Sequence, residues 1–258
     1  MACRVATALL AAAMAVFGTG AALRAEVPPS AVAELGAAAT AFDALARETR
    51  TRGTLPRLSV PGDAAVLRRL WDTTALLGRP PYGAADVPRL LAIIERQSTI
   101  IKTYALFSPD PATAPDTARN VATFQDEIAR TQAFLIMVFG AAAPALNDLV
   151  GRLPPGQFDE ARRQGLRQMR LGILEYVSGI VLALRSPGLQ PANRQLVTQA
   201  FADNAAAIAA LVNGDDRTAL SAAMITALPT LSGEAQASAK RFIAAMQETP
   251  CEGLCAIR

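Results

Sequence analysis

The sequence predicts an all-α protein, a bundle of seven to eight helices that forms either one body or two packed helical-hairpin subdomains. Apolar residues recur three and four positions apart in every long segment, as they do on one face of a helix. Ser or Asp stands where most of these segments begin, and Gly or Pro follows where most of them end. The alternation of apolar and polar residues that indicates strands is almost absent.

Three helices are predicted in the first part of the chain. The first runs from Ser30 to about Arg52 and is stopped by Gly53. The second runs from Asp63 to Leu77. The third begins at Asp86, which we expect to act as its N-cap, and Pro88 fits its first turn.

The segment SPDPATAPD, residues 108–116, is the most plausible internal boundary. The fourth helix begins at Asp116 and should be kinked or broken at Pro144. Its most apolar stretch, residues 133–146, is shorter than the roughly 20 residues that span a bilayer. It therefore predicts a buried helix, and no membrane span in the mature chain.

The second half of the chain adds four predicted helices. Their bounds are about Phe158 to Arg185, Pro191 to Gly214, Asp215 or Asp216 to about Pro229, and a last helix capped by Ser232. The tail that follows, residues 249–258, contains the two remaining cysteines.

The first 25 residues predict a secretory signal peptide. Arg4 is followed by an uncharged apolar stretch from Val5 to Ala22, and small residues lead to a cleavage position after Ala25. An uncleaved membrane anchor is the alternative, because the stretch is just long enough to span. Export places the mature domain, residues 26–258, in the periplasm or outside the cell.

Cys251 and Cys255 are predicted to form a disulfide, because an oxidising compartment favours the bond. The loop between them is very short, so the chain-entropy contribution is only about 2 kcal/mol. We expect a clasp that closes the C-terminal tail. A labile redox disulfide and a soft-metal site are the alternatives.

The amino-acid composition excludes several kinds of catalytic and metal-binding site. The chain has no histidine, which excludes Ser-His-Asp and Cys-His catalysis and histidine-based zinc sites. Removal of Arg4 and Arg24 leaves 23 basic against 22 acidic residues, a net charge of +1, so we expect no nucleic-acid partner. No motif for a cofactor or a metal is present.

Two sets of residues are candidate binding sites. Arg163, Arg167 and Arg170 fall on one stripe of the fifth helix and suit an anionic lipid headgroup, a phosphate or an acidic partner. The alternative is a solvated face on which Asp159 pairs with Arg163. A second set suits an apolar pocket, with plain core as its alternative: Met137, Phe139, Met169 and Tyr176.

Three functions remain open. The leading hypothesis is a non-catalytic interaction or scaffold protein, which predicts an exposed partner surface. The second is a carrier that holds a lipid or another apolar molecule between the third to fifth helices, with the arginines at the mouth. The third is a carboxylate-based enzyme, which predicts two acidic groups converging in a cleft.

We expect the mature protein to begin at Glu26 and to lack the two thiol hydrogens of Cys251 and Cys255. The measurement is the intact mass of protein that is expressed with its own leader and recovered from the periplasm. A full-length mass would show that the leader is a retained anchor.

Overall fold

The computed structural model describes residues 27–110, 112–154 and 157–257 and confirms the all-α class. Of the described residues 75% are helical, and no strand occurs among them. The predicted signal peptide, residues 1–25, lies outside the described residues.

The α-helices are α1 Ala31–Arg50, α2 Pro61–Arg69, α3 Thr73–Leu76, α4 Val87–Ala105, α5 Thr117–Thr123, α6 Gln125–Gly151, α7 Glu160–Ala183, α8 Pro191–Asp203, α9 Ala205–Leu211, α10 Gly214–Ala227 and α11 Gly233–Glu248. Short 3₁₀ turns occur at Ala84–Asp86, Leu228–Thr230 and Gly253–Ala256. The helices outnumber the predicted seven to eight because three predicted helices are each divided in two.

Local backbone capping explains these divisions. Asp72 separates α2 from α3 and caps α3 by accepting a hydrogen bond from the Ala75 amide at 3.0 Å. Phe124 and Asn204 leave the helical conformation and separate α5 from α6 and α8 from α9. The Asn204 side chain donates to the Ala200 carbonyl at 2.9 Å, which satisfies one of the last carbonyls of α8.

Pro144 does not break α6, contrary to the sequence prediction. The helix continues from Gln125 to Gly151. Pro144 itself is exposed, whereas Ala143 and Ala145 on either side of it are buried. Tertiary packing therefore holds the helix together across the missing N–H donor of the proline.

Helix α6 is the centre of the molecule. Helices α4, α8 and α9, the 3₁₀ turn at Ala84–Asp86 and the C-terminal 3₁₀ turn all pack on it. By length and composition α6 could cross a membrane, but 61% of its most apolar 18-residue window is buried among the other helices. That burial is what a core helix of a folded domain shows.

One hydrophobic cluster runs through the described residues and contains both Val27 and Leu254. The predicted boundary at residues 108–116 is the connection between α4 and α5. Asn120 closes it by donating to the carbonyls of Ala105 at 3.1 Å and Phe107 at 2.6 Å. Helices on both sides of the connection contribute to the same cluster.

A buried carboxylate joins the loop before α2 to the central helix. Glu127 of α6 is fully buried and accepts a hydrogen bond from the Leu58 amide at 2.6 Å. Arg57 Nε lies 3.4 Å from the same oxygen, and its guanidinium stacks 5.2 Å from the Phe124 ring centroid. Burial, and then the charge of Glu127, raise the pKa of the neighbouring Tyr104, so this phenol stays protonated.

Asp86 does more than begin α4, although the sequence suggested only an N-cap. Its side chain accepts hydrogen bonds from the Val27 amide at 3.0 Å and the Gly83 amide at 2.9 Å, and no side-chain cap bond to α4 is made. The start of the described chain is thereby fixed to the turn that precedes α4.

The α8–α9 junction approaches α6 most closely at Gly140. A Cβ atom added there would lie 1.9 Å from Asn204 Oδ1 and 3.0 Å from Asn204 Cβ. Only glycine allows this contact without a shift of the junction.

We expect Gly140→Ala to destabilise the fold by about 1–3 kcal/mol, because the added methyl group overpacks the contact with Asn204. Urea unfolding measures this as a lower midpoint. Gly36→Ala is the matched control, since no atom lies within 4 Å of its added Cβ, and it should stabilise α1 by about 0.5–1 kcal/mol. Equal stability of the two variants would contradict the close approach.

Candidate functional site

Helices α6 and α8 run parallel and leave an open groove between them. Near the start of both helices, Asn193 Nδ2 donates to Asp126 Oδ1 at 2.7 Å. At the end of α8, Asn204 meets Gly140 in the middle of α6. The two contacts fix the register along about 14 residues of α6, or roughly 20 Å of helix.

The groove has a volume of about 650 Å³ and is mainly apolar. Its α6 wall consists of Arg130, Ala133, Phe134 and Met137, and its α8 wall of Ala192, Gln195, Leu196, Gln199, Ala200 and Asp203. Trp71, Thr73 and Asn204 complete the lining. On both walls, side chains three and four residues apart form rows. A further helix can pack its own side chains into the spaces between such rows.

Opposite charges stand at opposite ends of this α6–α8 groove. Arg130 follows Asp126 by one turn and lies toward the Asn193 end, whereas Asp203 precedes Asn204. Both Arg130 and Asp203 are exposed. A ligand that fills the groove therefore meets a positive group at one end and a negative group at the other.

Trp71 is held at the edge of the groove. Its Nε1 donates to Thr131 Oγ1 at 3.2 Å, and Thr131 in turn donates to the Glu127 carbonyl at 2.8 Å. Since the indole N–H is satisfied inside the protein, the ring contributes apolar surface to the groove.

The three predicted arginines do not share one environment. Arg163 lies 3.7 Å from Glu160 and stacks on Phe158, and Arg167 also binds Glu160. The two guanidinium groups lower the pKa of the Glu160 carboxyl, and the hydrogen bond from Arg167 is the largest cause. Asp159, expected to pair with Arg163, instead caps α7 and lies 3.7 Å from Arg162.

Arg170 is buried, with 3% of its surface exposed, so it does not belong to the solvent-exposed stripe. Its guanidinium donates to the carbonyl of Leu211, at the end of α9, at 3.0 Å and to the carbonyl of Ile257 in the tail. Desolvation lowers the pKa of Arg170. The role of this side chain is to connect α7, α9 and the C-terminal tail.

Arg217 is a second buried arginine, and sequence reasoning did not identify it. It donates to the carbonyls of Ala209 at 2.8 Å, Thr249 and Pro250. The sequence signal is weak, because Arg217 follows Asp215 and Asp216 in the first turn of α10, where a charged residue is usually solvated.

The predicted disulfide between Cys251 and Cys255 is present, with Cα atoms 5.1 Å apart. One side of the turn that it closes is docked on the protein, while Cys251, Glu252 and Gly253 are exposed. Leu254 and Cys255 are buried, and the Leu254 amide donates to Asn147 Oδ1 at 2.9 Å. Gly253 has a φ of +55°, and an added Cβ would lie 2.6 Å from Asn147 Oδ1.

The four residues predicted to line an apolar pocket lie in different places. Met137 lines the α6–α8 groove, whereas Met169 is buried in α7. The rings of Phe139 and Tyr176 pack edge to face, 5.8 Å apart, between α6 and α7. Burial raises the pKa of Tyr176, so its phenol is uncharged there.

The adjacent carboxylates Asp126 and Glu127 do not converge as the enzyme hypothesis requires. Glu127 points into the core, while Asp126 binds Asn193 beside the groove. Desolvation raises the pKa of Asp216, whose charged neighbours are Arg170 and Asp215. In the described part of the chain, no three His, Cys, Asp or Glu side chains form a group that could hold a metal ion.

Neither a protein-family model, nor a curated protein, nor a solved structure shows significant similarity to this chain.

We expect Cys251→Ala/Cys255→Ala to lower the free energy of unfolding by about 2 kcal/mol or less, because the tail keeps its other anchors. Arg217→Ala should cost more, about 3 kcal/mol, since it leaves carbonyls of three residues without their donor. Urea unfolding without a reducing agent measures both variants against the disulfide-bonded parent. A larger loss from the cysteine variant would show that the disulfide, and not Arg217, holds the tail.

Proposed function

We propose that the protein is an exported, non-catalytic interaction protein that binds an amphipathic helix of a partner protein in the α6–α8 groove. The observation that carries the proposal is the pair of facing rows along two parallel helices. Such a groove accepts a third helix, whose apolar side chains at positions i, i+3, i+4 and i+7 fill the spaces between the rows.

The residues that line the groove indicate which side chains a partner helix should carry. Phe134 forms a buried floor, and Met137 and Leu196 are half-exposed apolar walls. We expect the partner helix to carry an acidic residue near Arg130 and a basic residue near Asp203. The apolar side chains supply most of the affinity, and the two end charges determine the direction in which the helix lies.

The partner surface suggested by the sequence, the arginine stripe, is a weaker choice. Arg163 and Arg167 share Glu160, so a partner anion would compete with an existing carboxylate. Arg170 is buried beneath the tail carbonyl that it binds. The α6–α8 groove offers a larger and mainly apolar surface, in which Asp203 already accepts a hydrogen bond from Gln199 at 2.6 Å.

Export is supported by two independent features. The leader, residues 1–25, has the basic, apolar and small-residue parts of a signal peptide. The bond between Cys251 and Cys255 is of a kind that forms and persists in oxidising compartments.

The test places a photo-crosslinking amino acid at Met137 or Leu196 in the groove, and at the exposed Leu171 of α7 as a matched control. After irradiation of native cells, we expect both groove positions to give the same protein adduct, through an amphipathic helix, and the control position to give none. An adduct with a second copy of this chain, an equal adduct from Leu171, or no protein adduct overturns the proposal.

Once that partner is purified, we expect Arg130→Glu to weaken the complex about tenfold, because repulsion replaces attraction at one end of the groove. Arg68→Glu, an exposed arginine on α2, is the charge-matched control and should leave the dissociation constant unchanged. Isothermal titration calorimetry measures both.

A further inference from the structure

A second open space, the α4–α7 cleft, lies on a neighbouring face of α6. It has a volume of about 240 Å³ and is bounded by α4, α5, α6, α7 and the segment that follows α7. Ile101, Ile128 and Ile180 form its apolar surface, and Gly179 and Ala183 leave room at its mouth. It is separate from the α6–α8 groove, which has none of these lining residues.

The cleft is preformed because the chain beyond α7 is tied in place. Arg194 donates to the carbonyls of Leu184 at 3.3 Å and Ser186 at 2.6 Å, and Thr230 also donates to Leu184, at 3.1 Å. The Gln190 amide donates to Gln125 Oε1 at 2.7 Å. These bonds keep the end of α7 from closing onto α6, although small side chains line the space between them.

The lining residues of the cleft carry no charge. Gln125 is engaged through both ends of its amide, with Ala122 and with Gln190. Gln132 lines the same cleft, and within the described chain its amide makes no hydrogen bond. The Gln132 amide and the Ser186 hydroxyl are therefore neutral hydrogen-bonding groups that face a mainly apolar space.

The size of the cleft limits its occupant. At about 30 Å³ for each water-sized or methylene-sized group, the space holds roughly eight such groups. No side chain that lines the cleft carries a charge to pair with an ionised head, so an uncharged head is favoured. Arg163, Arg167 and Arg170 lie about 13–24 Å from Gly179, toward the start of α7, so they are too distant to pair with an ionised head.

We infer that the α4–α7 cleft is a binding site for a short alkyl chain of about eight carbons with an uncharged polar head, which hydrogen-bonds to Gln132. The cleft lies where the carrier hypothesis expects a cavity, between the predicted third to fifth helices. Isoleucines line it in place of the expected Met and Phe, and the predicted arginines are not at its mouth. The inference does not depend on the partner helix proposed for the α6–α8 groove.

The test titrates 1-octanol, octanoate and octylammonium at neutral pH into the full mature chain labelled at its isoleucine methyl groups. We expect 1-octanol to shift the methyl resonances of Ile101, Ile128 and Ile180, and the two charged probes to bind at least tenfold more weakly. Shifts elsewhere, equal affinity for the three probes, or no binding of 1-octanol overturns the inference.

Gly179→Leu tests the location of the site without threatening the fold, because no atom lies within 4 Å of an added Cβ and leucine favours the helix. We expect at least a tenfold loss of 1-octanol affinity, while Gly36→Leu, an equally uncrowded glycine of α1, binds like the unaltered protein. Gln132→Leu should lose about three- to tenfold for 1-octanol. Unchanged affinity in Gly179→Leu excludes this cleft.

Discussion

The structure depends on one constraint, which is that helix α6 must be covered on nearly every side. Between Ala133 and Leu146 almost all of its residues are apolar, and most are buried. A helix that is apolar around its whole circumference cannot remain in water, so other elements must surround it. The need for this cover explains why α4, α8, α9 and the tail converge on α6, and why Pro144 does not interrupt it.

Several buried polar side chains bind backbone groups that would otherwise lack a partner. Glu127 accepts the Leu58 amide, and Arg170 and Arg217 bind carbonyls at the ends of α9 and α11 and in the tail. Burying an arginine is costly unless acceptors surround it. Arg217 has three carbonyl partners, whereas Arg170 has two, and one of its guanidinium nitrogens is buried without a partner among the described residues. Both arginines join separate segments of the chain. Arg170 is therefore not available to bind an anion together with Arg163 and Arg167.

The α6–α8 groove and the α4–α7 cleft follow from the same packing. Parallel helices that touch at Asn193 and at Gly140 leave a long groove on their outer side, and this shape suits a partner helix. Helix α7 lies mainly along α10 and meets α6 over a short stretch, which leaves the smaller, uncharged cleft. A protein that binds through these spaces needs no histidine, metal or convergent acid pair, so an interaction function agrees with its composition.

The sequence by itself determined the helical class, most helix bounds and the disulfide, because periodicity, caps and a spacing of four act between near neighbours in the chain. Only the tertiary structure decided which polar residues are buried and which surfaces stay open. Glu127 meets Leu58 across 69 positions, and Arg170 meets Ile257 across 87. Such contacts leave no local pattern in the sequence. Every residue has a backbone carbonyl, and only the fold decides which carbonyl comes within reach of Arg170.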